Sequence, residues 1–97
     1  MNLRLILKIY NLKFHRKSVK HLKKLRDCGL IEKTKKLLRI IKSNPYQIPP
    51  TYEKLIGYDN VYSRRINLKH RLVYKVSEED KTIYILSLWS HYEINLE

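Results

Sequence analysis

The segment Ile9–His15, IYNLKFH, alternates: Tyr10, Leu12 and Phe14 fall on one side, and Asn11, Lys13 and His15 on the other. A period of two is that of a half-buried β-strand. At Arg16 the period changes. Val19, Leu22 and Leu25 recur at helical spacing, and Gly29 stands where a helix C-cap is expected. A second amphipathic run follows, with Thr34, Leu37, Leu38 and Ile41 on one face and Lys33, Lys35, Lys36 and Arg39 mostly off it. The connection between the two runs is short, so they are expected to pair as an αα-hairpin.

The stretch SNPYQIPP ends the second helix, because Pro45, Pro49 and Pro50 exclude both regular helix and a strand ladder. A stiff connection of this kind often carries a functional loop. The segment 62–76, YSRRINLKHRLVYKV, then reads as a β-hairpin turning near Asn67 to His70. Its even positions, Tyr62, Ile66, Leu68, Leu72, Tyr74 and Val76, are largely apolar. Its odd positions, Ser63, Arg65, Asn67, Lys69, Arg71 and Lys75, are polar or cationic, with Val73 the exception. SEEDK makes the next turn, and TIYILSLW, apolar on both faces, reads as a central strand. The expected architecture is α+β: an N-terminal strand, a two-helix hairpin, then a three-stranded antiparallel sheet with the helices on one face. All 97 residues are read as one domain, with residues 1–9 as an N-terminal extension.

Charge changes the picture. Twenty-one Lys and Arg against nine Asp and Glu leave a net charge of +12, and a domain this small repels itself unless a polyanion answers it. RNA or DNA is the first expected partner, then an acidic protein. A membrane is not expected. The run NLRLILKIY is broken by Arg4 and Lys8 and falls short of the roughly 20 apolar residues that span a bilayer, and it lacks a signal-peptide cleavage site. The single cysteine, Cys28, suits a reducing cytoplasm. His15, His21, His70 and His91 show no metal-ligand spacing, and no Gly-rich phosphate loop is present. No cofactor or metal is therefore expected, and any chemistry would run on side chains.

The hairpin is dense in cations, with Arg64, Arg65, Lys69, His70, Arg71 and Lys75. Arg65 and Arg71 share a parity, so both can face one way as forked donors for a phosphate, and Arg64 is grouped with Arg65 as substrate-binding. His91 can exchange protons near neutral pH. Tyr92 follows it, and Glu53 is the nearest upstream carboxylate. A base, an acid and a cation clamp are what ribose-assisted RNA cleavage requires. The same residues also fit a basic nucleic-acid binder without catalysis, or a positive groove filled by an acidic protein. Spacing alone leaves the protein as a basic nucleic-acid binder.

NPYQIPPTYEKL, YSRRINLKHRLVYKV and LWSHYE, in that order, closely resemble the YoeB/Txe toxins of the RelE superfamily of bacterial mRNA interferases. The resemblance spans about Tyr10 to Glu93 and implies a RelE-like fold. It also implies a ribosome-dependent endoribonuclease of a type II toxin–antitoxin system. Such an enzyme cuts mRNA in the 30S A site without metal, leaves a 2′,3′-cyclic phosphate, and is neutralised by an acidic antitoxin. By this resemblance Glu53 is the general base, His91 the general acid and Arg71 the group that stabilises the transition-state phosphate. Arg65 contacts phosphate or mRNA, and Tyr92 orients the scissile nucleotide. The family's better-studied branch has a lysine three residues after the glutamate. Here that position is Ile56; Lys54 follows Glu53 directly and is grouped with Arg65 and Arg64 as substrate-binding. Oligomeric state stays open, a homodimer included.

Overall fold

The computed structural model describes residues 9–89. His91, Tyr92 and almost all of the expected N-terminal extension lie outside them. Strand β1 (Asn11–Phe14) leads directly into helix α1 (Arg16–Asp27). His15 makes the junction: its Nδ1 accepts the Lys17 N–H at 3.0 Å, and its carbonyl accepts the Ser18 hydroxyl at 2.7 Å. At the other end Gly29 adopts φ +80°, donating to Arg26, while Leu30 donates to Leu25. That is a Schellman closure, and it turns the chain at once into α2 (Ile31–Ser43).

Helix α2 buries Thr34, Leu37, Leu38 and Ile41, the face its spacing predicts. Helix α1 departs from expectation. Its inward face runs through Ser18, Leu22 and Leu25, whereas Val19 is 52% exposed. Ser18 can be buried because its hydroxyl is already satisfied by the His15 carbonyl.

The remaining strands are β2 (Glu53–Lys54), β3 (Val61–Arg65), β4 (Arg71–Ser77) and β5 (Thr82–Ser87). They form one five-stranded sheet in the order β1-β5-β4-β3-β2. β1 runs parallel to β5, and every other pair is antiparallel. The α+β class and the hairpin follow the expectation, and TIYILS is an interior strand between β1 and β4. The sheet gains β2, a two-residue strand too short to show a period. Leu68 lies within the expected turn at the hairpin tip and is 91% exposed, although it shares the parity of the apolar positions.

The helices pack Leu25, Leu37, Leu38 and Ile41 against Leu72, Tyr74, Val76, Ile83 and Ile85 on one face of the sheet. Full burial of an aliphatic side chain such as Ile83 or Ile85 contributes about 1.5–3 kcal/mol, which makes this layer the main source of stability. Glu78, in the β4–β5 turn, ties the far edge together. It accepts the Tyr10 hydroxyl at 2.9 Å, the Tyr46 hydroxyl and the Lys81 ammonium at 3.0 Å. The Tyr46 hydrogen bond leads in holding its carboxyl below the usual range, while burial and then Glu78 itself push the Tyr46 phenol up. The second face of the sheet carries Glu53, Ser63, Arg65, Arg71, Val73 and Lys75, and it is there that the candidate chemistry gathers.

Candidate active site on the second sheet face

Register builds the site. Glu53 pairs with Ser63, Ser63 with Val73, and Arg65 with Arg71, so all five side chains rise from the same face. Arg71 donates through one terminal nitrogen to Glu53 Oε1 at 2.9 Å and to Ser63 Oγ at 3.1 Å. The Arg71 side chain is only 15% exposed, that of Glu53 64%. The guanidinium is thus fixed from two sides while the carboxylate reaches into solvent. Pro50, Thr51 and Tyr52 close a wall beside them, enclosing a cavity of about 270 Å³ with Glu53, Ser63, Arg65 and Arg71.

Three of the residues singled out in the sequence, Glu53, Arg65 and Arg71, therefore meet in one cavity. Two do not. Arg64 points to the helix-covered face and is fully buried, its guanidinium bonded to Tyr74, Pro45 and Pro50, so it is not free to take substrate. The physical reason is strand alternation: adjacent residues on β3 face opposite ways. The same rule separates Lys54 from Glu53. Lys54 pairs with Tyr62 and borders a different hollow, formed with residues 55–59. Ser63 was not singled out for chemistry, although its odd parity with Arg65 and Arg71 was readable in the hairpin.

β5 is antiparallel to β4, and its last residue, Ser87, pairs with Val73, two residues from Arg71. The chain just beyond is anchored by two histidines. His21 Nδ1 accepts the Leu88 N–H at 3.1 Å, and His70 Nδ1 donates to the Trp89 carbonyl. The His70 ring also stacks on Trp89, with centroids 3.9 Å apart, and the Lys24 ammonium lies 5.4 Å from the indole centroid. Burial, then the charges of Lys24 and Lys17, hold the His21 imidazole below its ordinary pKa. Among the described residues no group of three His, Cys, Asp or Glu side chains is placed to hold a metal ion. No described helix is long and apolar enough to cross a membrane.

The fold matches solved structures of YoeB and RelE toxins. The chain is 28% identical to the YoeB/ParE toxin from Agrobacterium tumefaciens, with a TM-score of 0.77 over 84% of this chain and 99% of that one. It is 34% identical to a YoeB dimer from Staphylococcus aureus, with a TM-score of 0.74 over 86% of this chain and 98% of that one. Against the intact E. coli RelBE toxin–antitoxin complex the identity is 27% and the TM-score 0.71, over 87% of this chain and 99% of that one. No curated protein sequence matches. The family model for the YoeB-like toxin of bacterial type II toxin–antitoxin systems matches residues 12–92, and the chain belongs to that family.

Proposed function

We propose that the chain is an mRNA endoribonuclease that acts on the ribosome in the cytoplasm and is held inactive by an acidic antitoxin. The observation that carries this reading is the Glu53–Arg71–Ser63 constellation, which shares one cavity with Arg65. In the free protein the base and the phosphate clamp are bonded to each other. Because Glu53 is mostly exposed, that pair is worth no more than about 1 kcal/mol, and an entering phosphodiester displaces it easily. Arg71 then turns its donors to the phosphate and Glu53 is released to act.

Glu53 removes the proton of the ribose 2′-hydroxyl, and the oxygen attacks the adjacent phosphorus. Arg71 and Arg65 hold the non-bridging oxygens as charge grows on them. The bond to the 5′-oxygen breaks, His91 supplies that oxygen with a proton, and a 2′,3′-cyclic phosphate remains. Tyr92 orients the nucleotide. Each step is proton transfer or positioning, so metal is not required. A charge of +12 favours binding to ribosomal RNA and to an acidic antitoxin segment laid over the same cations.

Primer extension on a translated message after brief induction tests the reading. Discrete cuts inside codons are expected. Arg71→Ala and His91→Ala should abolish them and relieve growth arrest while ribosome binding survives. Undiminished toxicity in both variants would remove the enzyme.

A further inference from the structure

Among the described residues Arg64 is the largest fully buried side chain, and no carboxylate pairs with it. An unpaired cation in an interior is costly, and an apolar residue would fill the same volume without that penalty. Its use must therefore lie in what only a forked guanidinium can do. Nε donates to the Tyr74 hydroxyl at 3.0 Å, one terminal nitrogen to the Pro45 carbonyl at 3.0 Å, and the other to the Pro50 carbonyl. Tyr74 donates its own proton to the Pro45 carbonyl at 2.8 Å. The Tyr52 ring lies over the guanidinium carbon at 4.9 Å.

These partners bracket the proline connection. Pro45 is its beginning and Pro50 its end, and neither proline has an N–H with which to join a ladder. Beyond Pro50 the chain runs through Thr51 and Tyr52 to Glu53, and these residues form one wall of the cavity. The strand that receives Glu53 is just two residues long, so its own ladder holds it weakly.

We infer that Arg64 is a positioning residue, which grips the Pro45 and Pro50 carbonyls from behind and so fixes the cavity wall that presents Glu53. The two arginines of SRRI thus divide the work. Arg65 faces the substrate, and Arg64 holds the strap that carries the base. Tyr74 is the second half of the grip, and burial pushes its phenol up to about 12, so it keeps the proton it donates. The inference rests on the reading of Glu53 as the base.

The test uses the full chain with Arg64→Lys, which keeps the charge and loses the fork, and Tyr74→Phe, which keeps the ring and loses the hydroxyl. Hydrogen exchange over residues 46–53 is expected to accelerate in both variants while β4 and β5 keep wild-type protection. Single-turnover cleavage on programmed ribosomes should fall by about 100-fold, as a misplaced catalytic group predicts, with ribosome affinity unchanged. In a Glu53→Gln background Arg64→Lys should cost nothing further, because its effect passes through Glu53. Wild-type exchange at 46–53, or a full additional loss in the Glu53→Gln background, would overturn the inference. If Glu53→Gln itself cleaves at the wild-type rate, the base assignment fails instead. The exchange then decides the grip alone, acceleration upholding it and wild-type protection overturning it. Where Arg64→Lys does not fold, Tyr74→Phe carries the same comparison.

Discussion

Arg65 and Arg71 stand directly opposite one another across the β3–β4 hairpin. Like charges in that relationship oppose folding, and among the described residues Arg71 alone of the two is answered, by Glu53. The hairpin therefore carries an unfavourable pair at the position where a phosphate would be gripped by both. Replacing Arg65 with Thr, a good strand former, should raise the melting temperature by about 1–5 °C while cleavage is lost. Thermal melts beside a cleavage assay check this; a lower melting temperature would show that Arg65 contributes to the fold.

Glu53 should show the opposite separation of effects. Its carboxylate is exposed, and among the described residues its ion pair is with Arg71 alone. Glu53→Gln should change stability by no more than about 1 kcal/mol, yet lower single-turnover cleavage by about 100- to 10,000-fold. Denaturant melts and ribosome-based cleavage measure the two quantities on the same samples.

His21 makes stability fall toward acid. Only the unprotonated Nδ1 can accept the Leu88 N–H, and its folded pKa lies below the ordinary 6.5. As pH falls, the unfolded chain takes up this proton first, so unfolding is favoured. The contribution is complete above about pH 6.5 and is lost as pH drops through the folded value. Lys17, Lys24 and His70 face the ring and act in the same direction. His21→Gln should flatten the stability profile between about pH 7 and pH 5, measured by urea unfolding; an unchanged slope would assign the acid sensitivity elsewhere.

Gly29 isolates a backbone effect. A Cβ built there meets nothing within 4 Å, so substitution brings no clash, and only the φ of +80° resists it. Gly29→Ala should cost about 1 kcal/mol through the left-handed conformation alone, read from the shift of a urea midpoint with an unchanged slope.

Most of the architecture was legible because apolar spacing reports which face is buried. The helix face of Thr34, Leu37, Leu38 and Ile41 and the parity of Arg65 with Arg71 both came from that signal. It failed where burial is decided by hydrogen bonding. Ser18 goes inside because His15 satisfies its hydroxyl, and Arg64 because two carbonyls and a phenol satisfy its guanidinium. Charge alone marks Arg64 as a surface residue, and nothing local names its partners, which are ten to nineteen positions away. The β2 pairing was hidden because a strand of two residues shows no period.

The parallel pairing of β1 with β5 has a consequence for biosynthesis. Among the described residues β1 has no other lateral neighbour, and β5 is the last strand to be made. A nascent polypeptide that already contains both helices still has an empty slot where Ile83 and Ile85 belong. The sheet cannot close before residues 82–87 emerge, so the chain passes most of its translation unable to assemble the surface that bears Arg71. The proposed attack on translated message would thereby be delayed until synthesis of the chain is nearly past β5.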